Sequence, residues 1–515
     1  MYHPNLRTVS DVVTWHAALR PDHPAVICAD RAVTYRELHL ASNRTAHALR
    51  RLGVDAGQRI AYLGRESEHY YDILFAAAKL GAVLVPVNRR LTAAETHHIL
   101  RDSGSTVLFV DDELLGTAML LRAELPDLRE VVSLARFAGW QAADESDVDY
   151  GAAPDEPVVQ MYTSGTTGRP KGVVLAHRSF FAVRDALAAG GLDWIDWRVD
   201  DVSLVGVPGF HVGGLWWAMQ GFAAGVTNVS VRTFTGPGAV ALIRRHRITT
   251  ACLVPAQLQM ILAPPRPKRA DFATLRKIVY GGSPISESLL ARCIATIGCE
   301  LAQIYGLTES GNTAVCLPPA DHVVGGERMQ AAGRPYPGFE VKIVDADGAE
   351  VPAGESGEVW LATPARMLGY WGMPETTDES CVDGWLRTGD AGYLDADGYL
   401  FVRDRIKDMI VVAGENVYPA EIENAVCAHP AVLEAAVVGI PHRHWGEAVH
   451  CFAVPRPGQT VTARELAVFL RGRLADFKLP TSYELVGELP RNPSGKILRR
   501  DLRERFWAHL DRRVA

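Results

Sequence analysis

Much is scarce in this sequence of 515 residues, and each scarcity narrows what the chain can do. No stretch reaches the ~18 uninterrupted apolar residues that span a bilayer, and the N-terminus MYHPNLRTVSDVV lacks the charged and apolar regions of a secretory signal. A cytoplasmic protein is expected, although the apolar, aromatic patch from Val205 to Val226 leaves peripheral membrane contact open. Positive charge is not in excess: Lys+Arg 53 against Asp+Glu 60 gives a net charge of −7, so no basic field draws a nucleic-acid backbone. The 8 cysteines stand apart, with no CxxC pair and no His/Cys cluster at metal-ligand spacing, which favours reduced thiols. His442 and His444 lie two residues apart with no third ligand nearby and read as surface. Low-complexity segments and solenoid-type repeats are also missing.

What is present is a globular composition, 48% hydrophobic and 22% charged, over a length that exceeds what one core usually serves. Two or more domains follow. From Thr34, TYRELHLASNRTAHALRRLG sets Leu38, Ala41, Ala46 and Leu49 near helical spacing and ends at Gly53, a C-terminal cap. RIAYLG and VLVPVN read as short buried strands either side of a helix ending AAAKLGA, and the rhythm recurs through residues 206–231, 249–262 and 278–297. Such alternation implies a mainly parallel sheet faced by helices. After about Gly333, FEVKIVDADG, GEVWLAT and GYLDADGYLFV carry Asp-Gly turns between strand-like runs, which is hairpin chemistry. Past Asp404, AEIENAVCAHPAVLEAAVVGI and RELAVFLRGRLADFKLP read as helices around the strands AVVGIP and CFAVP, a small α+β unit. The charged stretch RDRIKD, Arg403 to Asp408, suits an exposed linker and divides the chain into residues 1–403 and 404–515.

One stretch is built for an anion. In MYTSGTTGRPKGVV, Ser164, Gly165, Thr166, Thr167, Gly168 and Lys171 combine flexible backbone, hydroxyl donors and a cation between apolar flanks. Glycines let backbone N–H groups converge, and hydroxyls and ammonium complete a concave site suited to polyphosphate. The Walker A pattern is not met, because Lys171 follows Gly168 by three residues and precedes Gly172, so an ordinary P-loop NTPase is disfavoured.

The string resembles the phosphate-loop motif of the adenylate-forming superfamily, which includes acyl-CoA synthetases, luciferases and adenylation domains. YGGSPI (Tyr280 to Ile285), IYGLTES (Ile304 to Ser310), GWLRTGD (Gly384 to Asp390), DRIKDMIVVAGENVYPAEIE (Asp404 to Glu423) and PRNPSGKILRRDLRE (Pro490 to Glu504) follow in the family's order, so the resemblance covers essentially the full chain.

Residue by residue, the resemblance implies the following roles. Tyr305 lies against adenine, with Gly281, Gly282 and Ser283 bordering it; Thr308 reaches the α-phosphate; Glu309 holds Mg²⁺, with Thr163 a second candidate near the metal. A hard cation wants carboxylate oxygen beside substrate phosphates, so the chemistry agrees. Asp390 and Arg405 resemble the pair at the ribose hydroxyls, and Lys496 the lysine that bridges carboxylate and α-phosphate oxygens as charge builds on phosphorus. Lys407 stands at the hinge position, and Gly414 at the pantetheine tunnel, where a Cβ would intrude. His211, Gly213, Gly214 and Gly306 fall at the acyl pocket. Trp216 and Trp217 are larger than the residues common there; core packing and the wall of a shorter or bulkier-substrate pocket both stay open.

The fold implied is α/β: a large N-terminal α/β domain with a β-rich subdomain, plus a small C-terminal α+β domain that rotates between two half-reactions. The activity implied is that of an acyl-CoA synthetase using ATP, Mg²⁺ and coenzyme A through an acyl-AMP. The alternative acceptor is the phosphopantetheine of a carrier protein; with no carrier domain after Ala515 and no insertion in the chain, free CoA is the expectation. A non-catalytic nucleotide-binding protein is disfavoured by the joint presence of Lys496, Glu309, Asp390 and Gly414. The acid is left open among medium-chain, aryl and polycyclic carboxylates, as is homodimerisation.

Overall fold

The computed structural model describes residues 3–164, 170–192, 194–412, 415–491 and 496–508, which build four β-sheets. A nine-stranded and a seven-stranded sheet make up the body, and most of their inner strands pair in parallel. The expected strands fall at Arg59–Leu63, Val83–Val87, Thr250–Leu253 and Lys277–Gly281, each nearly or wholly buried as parallel strands covered on both faces should be. The first long helix, Tyr35–Arg51, starts on a capping box in which Thr34 and Glu37 satisfy each other's backbone N–H groups. It stops before Gly53, whose φ of 73° is the left-handed conformation a helix end favours.

Two helices carry almost no polar face. Helix Glu68–Lys79 touches strands of both large sheets, and helix Val212–Ala224 is buried from Gly214 to its end. A helix apolar all round belongs inside. The apolar patch from Val205 to Val226 is therefore this buried helix with its flanking strands and offers no membrane-binding face. Among the described residues no helix is long and apolar enough to cross a membrane. All eight cysteines are free.

The β-rich portion after Gly333 forms a five-stranded antiparallel sheet, with Glu340–Val344, Gly357–Ala362 and the hairpin Trp385–Leu394 to Leu400–Arg405. Its last strand ends at Arg405; a short turn, Ile406–Asp408, leads to Ile410–Val412, the first strand of the fourth sheet. In that tail region two expectations were too helical. Helix Pro419–Cys427 stops early, and strand Val432–His442 takes the rest of the predicted helix. Pro430 interrupts the helix, and the following Val-rich run finds a partner in Gly446–Pro455. Likewise helix Ala463–Leu470 ends before Gly472, whose φ of 73° breaks it, leaving only the short turn Asp476–Lys478.

Candidate active site

The glycine-rich stretch connects two strands that pair with each other. Strands Pro157–Ser164 and Pro170–Ala176 pair antiparallel as far as Ser164 opposite Pro170. Gly165, Thr166, Thr167 and Gly168 lie outside the described residues. Thr163 pairs with Lys171 across the ladder. The Lys171 ammonium lies 5.1 Å from the centre of the Tyr370 ring, and the Tyr370 hydroxyl donates to Glu309 Oε1 at 2.9 Å. Tyr370 itself is held by the short strand Gly369–Tyr370, which pairs with the hairpin. The phosphate loop and the expected metal carboxylate are thus tied together by one tyrosine, which the sequence reading did not single out.

The second cluster forms where parallel strands end. Strand Lys277–Gly281 runs beside Glu300–Tyr305, and a Cβ on Gly281 would lie 2.3 Å from the Ile304 carbonyl oxygen, so only glycine permits this approach. Gly282 follows in the left-handed region, and Ser283 continues the loop. The Tyr305 hydroxyl donates to Asp390 Oδ2 at 2.6 Å, and Asp390 is buried opposite Arg405 across the β-ladder. Tyr305, Asp390 and the Arg405 backbone are therefore brought together from three strands. Gly306 opens the next loop, where a Cβ would lie 2.5 Å from the Asn312 carbonyl. Ser310 Oγ accepts from Leu307 N at 2.8 Å and pins the turn that carries Thr308 and Glu309. Asn312 holds φ 100°, a left-handed value uncommon outside glycine and often found at functional loops.

Glu309 fits a hard divalent cation: one carboxylate oxygen takes the tyrosine, and among the described residues no group of three His, Cys, Asp or Glu gathers as a protein-only metal cage. Mg²⁺ is commonly held by one or two carboxylates together with substrate phosphates, so a single glutamate beside a phosphate loop meets the requirement.

The third cluster surrounds His211, the residue that begins helix Val212–Ala224. Its imidazole pKa is pushed down to about 4, first by burial and then by the positive charges of Lys496 and Arg90. Lys496, on the tail, acts on His211 through its charge alone, while residues 492–495 and Gly414 lie outside the described residues. The loop before His211 is clasped from both sides. Gly209 N donates to Glu66 Oε2 at 2.9 Å, and the Tyr70 hydroxyl donates to the Gly209 carbonyl at 2.8 Å. Glu66 Oε1 accepts from the Tyr71 hydroxyl at 2.8 Å, and burial pushes its carboxyl pKa up to about 7. Gly213 looks toward the 305–313 loop, since a Cβ there would lie 3.3 Å from Asn312 Oδ1; Gly214 packs against the Val207 and Pro208 carbonyls.

The tail is joined to the body by charge. Asp404 Oδ2 accepts from Ala420 N at 3.0 Å, and Arg499 reaches Asp404 at 3.6 Å while bridging Glu423 at 2.7 Å. Lys407 lies in the turn between these contacts. His442 stacks on Trp445 at 4.2 Å, well outside these clusters in the chain.

Comparison with known proteins gives the family. Residues 13–371 match the family model described as AMP-binding enzyme, and residues 421–496 match AMP-binding enzyme C-terminal domain. The chain is 59% identical to the fatty acid–[acyl-carrier-protein] ligase ScoC of Streptomyces coeruleorubidus, over 100% of this chain and 99% of that protein. It is 38% identical to a feruloyl-CoA synthase of an Amycolatopsis species, over 95% and 97% of the two chains. Among solved structures, the anthranilate CoA ligase AuaEII in complex with anthranoyl-AMP superposes with a TM-score of 0.89 at 28% identity, covering 98% of each chain.

Proposed function

Because the chain belongs to the AMP-binding enzymes, the adenylate-forming acid ligases, we propose that it activates a carboxylic acid as acyl-AMP and passes the acyl group to the phosphopantetheine thiol of an acyl carrier protein. The observation that carries the acceptor is the 59% identity to a carrier-protein ligase along the whole chain, against 38% to a CoA synthase. The expectation of free CoA gives way on this point. It rested on the lack of a fused carrier domain, yet a carrier that is a separate protein needs no fusion.

In the first half-reaction a carboxylate oxygen of the acid attacks the α-phosphorus of ATP, and the bond to the β-phosphate oxygen breaks to release pyrophosphate. The hairpin with Lys171 holds the triphosphate, while Tyr305 and Asp390 hold the nucleoside. Glu309 would hold Mg²⁺ with the phosphates, which neutralises the charge leaving with pyrophosphate. Lys496 stabilises the negative charge that builds around phosphorus. His211 stays neutral down to about pH 4 and presents an uncharged ring to the acid. In the second half-reaction the thiol gives up its proton, its sulfur attacks the acyl carbonyl carbon, and AMP leaves. Rotation about the turn at Lys407 withdraws Lys496 and brings Gly414 to the thiol's path, which is how one pocket serves two chemistries.

A second reading, transfer to free CoA, draws on the feruloyl-CoA synthase similarity. Thioester formation measured side by side with holo carrier protein and with CoA separates the two. The carrier reading expects the carrier to be acylated with the higher kcat/KM; preference for CoA over every holo carrier tried would reverse it.

A further inference from the structure

Resting on the adenylation reading above, we propose that Tyr370 is a positioning residue for that half-reaction: its hydroxyl fixes the orientation of the Glu309 carboxylate and its ring face holds the Lys171 ammonium, so that the metal-holding group and the phosphate-loop cation are presented together. The two charges meet different parts of one side chain. The hydroxyl donates to Glu309 Oε1 at 2.9 Å, and the Lys171 ammonium lies 5.1 Å from the ring centre, within cation–π range. A carboxylate offers about four acceptor positions, so a single neutral donor sets its rotation and leaves its charge and most of its lone pairs to a cation. A lysine or arginine in the same place would instead compete with Mg²⁺ for that charge.

The segment that carries Tyr370 is held by main-chain hydrogen bonds. Met367 N donates to the Glu309 carbonyl at 2.8 Å, Leu368 N to the Val174 carbonyl at 2.8 Å and Trp371 N to the Gly172 carbonyl at 2.7 Å. Residues 367–371 are therefore tied to the backbone of Glu309 at one end and to the residue after Lys171 at the other. Between these ties Tyr370 pairs with Val173, and its N–H donates to Thr377 Oγ1 at 2.9 Å. Trp371 is anchored separately: its indole N–H donates to the Asp102 carbonyl at 3.0 Å, and the Arg59 guanidinium lies 3.4 Å from its ring centre. With the main chain fixed in this way, removing the Tyr370 hydroxyl should loosen the Glu309 carboxylate and spare the fold.

The test is calorimetric titration of ATP without acid, so that no acyl-AMP forms, in EDTA and across a Mg²⁺ series, with wild type, Tyr370→Phe and Tyr370→Leu; pyrophosphate-release kinetics follow. Tyr370→Phe should bind metal-free ATP as wild type does, yet need about tenfold more Mg²⁺ for the same gain in ATP affinity, the scale of one hydrogen bond to a charged group. Tyr370→Leu, which also loses the ring face, should weaken metal-free ATP binding about threefold or more. In both variants KM for the acid stays within about twofold of wild type. In a Glu309→Ala background Tyr370→Phe should add no further Mg²⁺ requirement, because the hydroxyl acts through that carboxylate. A folded Tyr370→Phe with the wild-type Mg²⁺ requirement overturns the positioning role. Equal weakening of metal-free and Mg²⁺-bound ATP, an additive loss in the Glu309→Ala background, or a Tyr370→Phe too unstable to purify each overturns it in favour of a purely structural one. Wild-type protein that binds no ATP in either condition fails the adenylation reading itself, whereas intact wild-type binding with an unaffected Tyr370→Phe fails only the positioning role.

Discussion

The nucleotide end and the acyl end of the site are built from different materials. At the nucleotide end, strand termini bring hydroxyls and carboxylates into hydrogen bonds: Tyr305 on Asp390 at 2.6 Å, Tyr370 on Glu309 at 2.9 Å. At the proposed acyl end, beside His211, the following helix buries aromatic rings, and the loop at Gly209 is held by Glu66 and Tyr70. Polar recognition of phosphate and ribose fixes few positions tightly, whereas an apolar pocket selects by shape that many side chains can supply. On the proposed function, the shared reaction is assigned to the first end and substrate choice to the second.

Substitutions should separate these ends, and Lys496→Ala carries the largest expected effect. Adenylation falls by about 10²–10³-fold, the usual loss on removing a preorganised charge-stabilising group, while thioester formation from supplied acyl-AMP is largely retained. Pyrophosphate release and acyl transfer measured separately check this, and equal loss of both contradicts the role. Asp390→Ala follows, with KM for ATP raised roughly 10–100-fold from the loss of a charged hydrogen-bond acceptor, and with the acid chain-length profile unchanged. If that profile shifts, the two ends are not independent.

Glu66→Gln places an amide N–H against one of two donors, Gly209 N or the Tyr71 hydroxyl, and should lower stability by about 1–3 kcal/mol in denaturant unfolding. It should alter KM for the acid more than KM for ATP. The smallest effect concerns pH. His211 is neutral in the fold down to about pH 4 and ordinarily titrates near 6.5, so below 6.5 the unfolded chain binds a proton that the folded chain refuses. Its contribution to stability is lost as pH falls from 6.5 toward 4, and activity shows no inflection from this group above about pH 5. An inflection near 6.5 in pyrophosphate release that disappears in His211→Asn would show the ring to be less buried than described.

What could be read from sequence follows the same division. Phosphate and ribose binding force short contiguous strings, so Lys171 stood out by the chemistry of its loop, and Tyr305, Glu309, Asp390 and Lys496 through the family motifs they resemble. Glu66, Tyr70 and Asn312 did not. Tyr70 sits in EHYYDILF, which reads as a core helix and is one; the clasp on Gly209 joins residues 143 apart for the glutamate and 139 apart for the tyrosine, and no local pattern announces it. Asn312 signals itself only through a backbone angle. In the body, alternation of buried strands and helices placed the elements well because parallel strands are apolar throughout. In the tail, Val432–His442 was misread because an amphipathic run of Ala, Val and Glu suits either helix or strand until its partner strand decides.

A crystal structure with ATP or a non-hydrolysable acyl-AMP analogue tests the central claim most directly. The account predicts adenine beside Tyr305 and Gly281 to Ser283, ribose hydroxyls on Asp390, and Lys496 Nζ within hydrogen-bond reach of the α-phosphate, facing His211. A nucleotide bound away from Tyr305 and Asp390, or a Lys496 that stays remote from the α-phosphate with the acid site filled, would contradict it.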